Sequence, residues 1–425
     1  MRKKRVLVLM GAGASVGFGA PSTACLTRSI EKRILADNLA KEFKADCAWL
    51  KIKNTLTSYY KEGSSECSCQ DLVNFEHIYH CAHELISTFG LTLPDAVGYG
   101  PDDLGYPRGP VAVEHRPVLA PFIERRINTT KQSLQVLIRR IVYSIQEKIS
   151  TACRNPKENL DFLRRFIGKL QENYITCIYT TNYDDFILQA SPDLYTGFSI
   201  NHNPSSRRFD RQDFWMHFDR NSIFYLHGSV HINFGEGSAS DPDLRPFVWY
   251  DSLDEALLHR SSSLDMRNMD GGSTIRTPII TGLDKLSPLQ QMPFSYYHSC
   301  LSRDAMAADI IYVIGYGLND LHINTWLKEA RWRNPKPPLL FIGQWENSFE
   351  DVLRKSTWSF SSSEKSKEPK MIHNLYMLSF EKDNYLQHND WHFVRTEYNY
   401  AIWNKNFLEF LNAPDQLESI LEKLM

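Results

Sequence analysis

The chain has 425 residues, 42% hydrophobic and 23% charged, enough apolar material to bury a substantial core in two or three domains or one large α/β domain. Lys and Arg number 48 against 50 Asp and Glu, for a formal net charge of −2, which excludes a global basic field for nucleic acid. Eight scattered cysteines without a C-x-x-C pair are too sparse for a disulfide scaffold, and no apolar run approaches the roughly 20 residues that cross a bilayer; reduced thiols and a cytoplasmic location are expected.

At the start, "MRKKRVLVLMGAGAS" sets a basic cluster before an apolar run too short for a signal peptide, and glycine follows at once, so it reads as a first strand. The next stretch, "MGAGASVGFGAP" (10–21), holds four glycines in twelve residues. Residues 28–62, 70–90 and 120–170 carry helical apolar spacing, as in Leu134, Leu137, Ile141 and Ile145, and predict a helical insertion over about 36–170. Within it, 91–117 is too rich in Pro, Gly and Asp for regular structure.

"YITCIYTTNYDD" (174–185), "SIFYLHGSVH" (222–231), "DIIYVIGYGLND" (309–320) and "PPLLFIG" (337–343) repeat the pattern of "RVLVLMGAG" (5–13): an apolar, β-branched or aromatic run that ends in polar residues. Such runs are strands buried on both faces, and they need crossover helices. The expected fold is α/β, a Rossmann-like doubly wound parallel sheet with a large helical insertion and a helical C-terminal segment. Residues 235–277 read as a second long loop, and "GLDK" (282–285) as a further loop at the strand ends. The first domain spans 1–345. From 346 to 425 the pattern turns polar and helical, with Leu417, Ile420, Leu421 and Leu424 on one face, as in a segment that meets a partner or a second copy.

A glycine-rich turn between a buried strand and a helix can present backbone N–H groups to a pyrophosphate, and a nucleotide is the natural candidate; the alternative is a tight structural turn. The dinucleotide fingerprint G-x-G-x-x-G would need its third glycine where Val16 stands, and there is no Gly-Lys-Ser/Thr. A second candidate is "CSCQDLVNFEHIYHCAHE" (67–84), where His77 with Cys81 and His80 with His83 fall on helical spacing, but the pattern matches no common zinc grammar. No metal is expected. "DLHIN" (320–324) reads as the cap and start of a helix.

Residues Gly11 to Pro21 resemble, without gap, the sirtuin-type opening G-A-G-x-S-x-x-x-G-[IA]-P. "TTNYD" (180–184) looks like the T-Q-N-x-D element of that family, "LHGS" (226–229) like its L-H-G element, and Asp309 with "IGYG" (314–317) like D-x-x-x-x-x-G-T-S. The four elements stand in the family's order, and T-T-N-x-D resembles most the sirtuin-like NAD hydrolases of bacterial antiphage defence. The resemblance covers the framework of 1–345 and leaves the insertion, the long loops and the C-terminal segment aside.

It implies NAD as a substrate whose nicotinamide–ribose bond is cleaved to nicotinamide and ADP-ribose, depleting NAD in abortive infection. It implies Asn182, His227 and Asp184 as catalytic residues: Asn182 orienting ribose or water, His227 as general base, Asp184 on the nicotinamide carboxamide. Gly11, Ala12, Gly13, Ala14, Ser15, Gly19, Pro21, Thr181, Gly315, Tyr316 and Gly317 are the cofactor-binding set. It also implies a homo-oligomer or control by a HerA-type ATPase, an Argonaute-like protein or a phage protein, and an acidic residue in "NFEHI" (74–78) over the cleft. The family's deacylases carry two C-x-x-C pairs and a D-F-R after the proline; here both are missing, Ser22-Thr23-Ala24 standing in the second place. A deacylase, or a non-catalytic NAD-binding regulatory subunit, is the alternative.

Overall fold

The computed structural model describes residues 3–62, 73–88, 129–200, 206–216, 218–235, 245–258, 264–267, 273–283, 285–318, 320–344, 385–388, 391–394 and 399–413. In chain order these form β1 (Lys4–Met10), α1 (Gly13–Val16), α2 (Thr23–Ala36), α3 (Asn38–Glu42), α4 (Ala45–Glu62), α5 (Phe75–Thr88), α6 (Lys131–Arg154) and α7 (Asp161–Asn173). Then come β2 (Tyr174–Thr180), α8 (Phe186–Ala190), β3 (Phe198–Ile200), β4 (Ser206–Phe209), α9 (Arg211–Met216), β5 (Ser222–Tyr225), β6 (Ile232–Phe234), β7 (Phe247–Tyr250), α10 (Leu253–Leu258), β8 (Leu264–Arg267) and β9 (Ser273–Arg276). The last are α11 (Leu286–Leu289), α12 (Phe294–Ala307), β10 (Ile310–Ile314), α13 (Leu321–Arg331), β11 (Leu339–Ile342), β12 (Tyr385–His388), β13 (Trp391–Val394), β14 (Tyr400–Trp403) and α14 (Phe407–Leu411). Among the described residues no helix is long and apolar enough to cross a membrane.

The chain divides into two units: Met1–Ser22, Ile149–Val230 and Leu289–Met425 form the first, Thr23–Lys148 and His231–Pro288 the second. The first is built on a sheet of order β12-β13-β14-β11-β10-β1-β2-β5, in which β14 through β5 run parallel and β12 and β13 antiparallel. Counting the six parallel strands along the chain gives the order 3-2-1-4-5-6, the doubly wound Rossmann topology, whose switch point lies between the first and fourth strands, here β1 and β10. All five predicted strands are present. Residues 6–10, 175–180 and 310–314 are buried throughout, so each strand is covered on both faces, which is why its sequence is a continuous apolar run.

The covering helices follow from register. Val8 pairs with Tyr312 and Ile178, whereas Tyr179 pairs with Leu9 and Phe224 on the opposite face. On the first face Phe166 of α7 meets Tyr312 edge-on at 6.0 Å, with Phe407 and Phe410 of α14 at 5.8 and 5.7 Å. On the other, Tyr297 of α12 stacks on Phe224 at 5.0 Å. Buried Arg5, at the amino end of β1, reaches Asp304 at 3.4 Å, and Tyr179, near the carboxyl end of β2, donates to the same carboxylate at 2.7 Å. Asp309 accepts from the Arg5 amide at 2.7 Å, so this residue, which resembles a family element, ties β10 to β1 at the edge remote from the loops. Along the carboxyl edge Met10, Thr180, Tyr225, Ile314 and Ile342 lie in one row.

The C-terminal segment corrects the helical expectation. Its described residues hold three strands and one short helix, and β14 joins the main sheet parallel to β11. "YLQH", "WHFV" and "YAIW" are short, aromatic and β-branched, a composition that favours strands; the heptad-like 417–424 run lies outside the described residues. The break drawn at 345 is likewise not where the units divide.

The second unit carries α2 to α5 and the first part of α6, packed through Ile30, Trp49, Ile52, Ile78, Leu137 and Ile141, all nearly inaccessible. Asp37 caps α3 by accepting from the Leu39 and Ala40 amides, and its carboxylate pairs with Arg140 at 3.1 Å. The predicted helical insertion is thus present, but α6 passes into the first unit at Ile149. Residues 235–277, expected as loop, contain β7, α10 and the β8–β9 hairpin; "FVWY" was masked as a strand by the Gly, Ser and Asp around it. The 91–117 stretch lies outside the described residues.

Candidate active site

All the candidate site residues lie in the first unit, and all but Gly19 and Pro21 stand close behind the row of strand ends. The opening loop crosses the switch point. Gly11 N–H donates to Ile314 O and Gly13 N–H to Gly315 O, both at 2.9 Å. A Cβ at Gly11 would stand 2.6 Å from Tyr316 Cα, and one at Gly13 2.9 Å from Gly315 Cα. Gly315, at φ 58°, would put a Cβ 2.1 Å from the Ala14 nitrogen. The glycines are therefore required because two loops pack backbone against backbone. Gly19, at φ 108°, faces instead the Lys157 side chain, whose Cγ an added Cβ would meet at 2.9 Å, and Pro21 leads to the end of this chain segment at Ser22.

This corrects one expectation. The amides of Gly11, Gly13, Ala14 and Ser15 all donate to protein carbonyls, to Ile314, Gly315, Gly11 and Ala12 in turn, and α1 is a single turn. The anion cradle expected of these amides is not formed by those four. Ala12 stands at the start of that turn in helical conformation.

Asn182 stands two residues beyond β2. Its Nδ2 donates to Gly11 O and to Ser15 Oγ, both at 2.8 Å. A backbone carbonyl only accepts, which fixes the nitrogen on that side, and both amide hydrogens are thereby committed. What the side chain offers a ligand is its Oδ1 acceptor. Thr181 continues the β1–β2 ladder, donating from its amide to Met10 O at 2.9 Å.

Asp184 is buried behind Ser15. Its carboxylate accepts from the Ser15 hydroxyl and the Phe186 amide; burial raises its pKa to about 6, the Ser15 bond opposes that, and neighbouring Asp185 adds to it. Ser15 thus accepts from Asn182 and donates to Asp184, a chain that holds the carboxamide in one orientation.

His227 stands two residues beyond β5 and is 3% exposed. Leu226 N–H donates to Thr180 O at 2.8 Å and Val230 N–H to Tyr183 O at 2.9 Å, so the "LHGS" turn is bound to the loop that carries Asn182. Gly228, at φ 93°, lets that turn close. Because Thr180 pairs with Tyr225, Asn182 and His227 stand equally far past neighbouring strands about 4.8 Å apart.

Asp320 and His322, which the sequence marks only as the cap and start of a helix, flank the imidazole, with His298 behind His322. Asp320 Oδ1 lies 3.9 Å from His227 Nε2. Asp320 occupies the N-cap position of α13 as expected, but its carboxylate makes no cap bond. The His322 ring centroid lies 6.2 Å from that of His227 and 5.1 Å from that of His298. Burial first, and His322 next, press His298 down to about 3, with Asp320 opposing; it is a neutral ring. Tyr316 is buried, its hydroxyl bonded to the Asp320 backbone and to Asn324, so its side chain pins this loop. The one sequence signal was D-x-H at a strand-to-helix turn; its nearness to "LHG" comes from the sheet order.

Of the Cys/His stretch, Cys67 and Cys69 lie outside the described residues, His77 Nδ1 meets Asn74 Oδ1 at 2.7 Å, and Cys81 is buried. "NFEHI" begins a helix capped by Asn74, and Glu76 lies 3.2 Å from Thr281 Oγ1 and 3.8 Å from Lys285 Nζ within the second unit.

No curated protein matches the chain. Among solved structures, a SIR2 homolog–NAD complex aligns at 11% identity and TM-score 0.32, over 80% of this chain and 78% of that one. Sir2Tm bound to a propionylated peptide aligns at 12% and 0.34, over 82% and 85%. Residues 176–362 match the family model of the SIR2-like domain, a span that takes in Asn182, Asp184, His227 and the Gly315 loop.

Proposed function

We propose that the chain is an NAD+ glycohydrolase that breaks the nicotinamide–ribose bond with water as acceptor. The observation that carries this reading is the committed carboxamide of Asn182, which leaves an uncharged acceptor beside the Gly11 loop that crosses the switch point, level with an imidazole on the next strand. The SIR2-like match over these residues supports it.

The leaving group is cationic in the substrate. As the C–N bond breaks, its electron pair returns to the pyridine nitrogen, nicotinamide departs neutral, and no acid is needed. The ribose is left oxocarbenium-like, so the site has to hold that charge, exclude bulk water and deliver one nucleophile. Asn182 Oδ1 accepts a hydrogen from the attacking water or a ribose hydroxyl and orients it without titrating. His227 takes the proton as the water oxygen bonds to the anomeric carbon. Asp184 acts through Ser15 as a positioning residue that keeps Asn182 turned. With the amides of Gly11, Gly13, Ala14 and Ser15 spent, the role left to that loop and to Gly315 and Gly317 is a small-sided wall against which the dinucleotide lies. The reading extends to NAD depletion in antiphage defence, with activity released by self-assembly, a HerA-type ATPase, an Argonaute-like protein or a phage protein.

The test is incubation of purified protein with NAD, alone and after forced assembly, with nicotinamide followed by chromatography. Asn182→Ala and His227→Ala should each lower release about 10²–10⁴-fold. Release that survives both substitutions overturns the assignment, and release that depends on an acyl-lysine peptide replaces it with a deacylase.

A further inference from the structure

His227, Asp320 and His322 each offer one donor atom, and the three atoms lie within 4.8 Å of one another. Two imidazoles and a carboxylate make a donor set suited to a borderline divalent transition ion, and three protein ligands leave a fourth position open. A tetrahedral zinc site with metal–ligand distances near 2.1 Å holds its ligand atoms about 3.4 Å apart. His227 Nε2 and Asp320 Oδ1 are already at 3.9 Å. Asp320 caps α13 and His322 stands in its first turn, and the start of that helix is held by the Tyr316 hydroxyl and by Asn324 Nδ2 on Leu318 O, so the two side chains are carried at a fixed spacing. The Asp320 carboxylate faces His227. His322 is partly exposed, which gives an ion an entry path, and the His298 ring backs His322.

We propose that these three residues form a binding site for a zinc-class divalent ion, and that the ion holds the enzyme idle by occupying the nitrogen that otherwise accepts the proton. The lone pair of Nε2 bonds to a metal or to a proton, not both, so loading and base catalysis exclude each other. The inhibition rests on the role given to His227 under the proposed function; the binding does not.

The experiment uses the full chain stripped by chelator, with Zn2+ and Co2+ as probes. Zinc competition against a chromophoric chelator should give one site per chain, weakened more than about tenfold in Asp320→Asn and in His322→Gln. Cobalt should give ligand-field bands without thiolate charge transfer, which separates this site from the exposed Cys25 and Cys47. Metal-free thermal unfolding of each variant checks its fold. Equal zinc affinity in wild type and both folded variants, or a cobalt spectrum dominated by thiolate, overturns the site. In the NAD assay zinc should stop nicotinamide release and chelator restore it. Binding at these residues without an effect on release overturns the inhibition, whereas a chain that binds zinc here but never cleaves NAD in any assembly state fails the proposed function and leaves the site standing.

Discussion

Asp184→Asn tests whether the candidate site is held against the stability of the fold. Burial raises this carboxyl from 3.8 to about 6, so between those values the folded state binds a proton that the unfolded state has lost. Stability then falls as pH rises, since the slope follows protons bound unfolded minus folded. The penalty is about 0.5 kcal/mol at pH near 4 and approaches about 3 kcal/mol above pH about 7, at 1.36 kcal/mol for each tenfold in proton affinity. Asparagine keeps the shape, cannot ionise, and retains one acceptor for the Phe186 amide; replacing the bond to Ser15 costs about 1 kcal/mol. Urea unfolding should therefore show the variant more stable than wild type by about 2 kcal/mol at pH 7.5, with the advantage vanishing or reversing near pH 4. If the two stability curves run parallel from pH 4 to 7.5, the burial of an ionised Asp184 is not what the structure implies, and the Ser15–Asn182 chain has no strained anchor. The same variant should lose nicotinamide release under the proposed function, gaining stability where it loses activity.

Ser15→Ala removes the one hydroxyl that lowers Asp184, so the decline in stability should extend to higher pH than in wild type, read by the same urea series. Gly315→Ala should cost more than about 3 kcal/mol, since a left-handed alanine is strained and its Cβ meets the Ala14 backbone at 2.1 Å; a shift below about 1 kcal/mol in the urea midpoint would refute the packing argument. Gly168→Ala, in the interior of α7 with nothing within 4 Å of the added carbon, should instead stabilise by about 0.5–1 kcal/mol. Asp304→Ala, which strips the buried Arg5 and Arg303 of a shared carboxylate, should cost about 3–5 kcal/mol in thermal and urea unfolding while leaving nicotinamide release per folded molecule intact.

The parallel strands were readable because burial on both faces removes the alternation that marks a half-exposed sheet, leaving runs such as "RVLVLM" and "IIYVI" with no other good explanation. Helical spacing marked α2, α4, α5, α6 and α7 for the opposite reason: each buries one stripe. What failed were short strands, where four residues such as "FVWY" or "YAIW" carry too little pattern to outweigh the glycines, asparagines or charges beside them. Asn182, Asp184 and His227 were legible only through a family resemblance, since an Asn-x-Asp or Leu-His-Gly turn is common. Asp320 and His322 were legible only as the cap and start of a helix and His298 not at all, because their nearness to His227 depends on which strand neighbours which. The glycines were noticed for the right reason, a bare backbone pressed closely, but what presses on Gly11 and Gly13 is Gly315 and Tyr316.

The ladder, more than the loops, determines what can meet at this edge. Met10, Thr180 and Tyr225 are paired across three adjacent strands, and the amides of Thr181 and Leu226 extend that pairing by one residue onto Met10 and Thr180. Asn182 and His227 are the next positions, where the strands part and side chains first become available. A slip of one residue in either strand would send its side chain to the other face of the sheet. Deleting Thr181 should therefore abolish nicotinamide release even if β2 keeps its place.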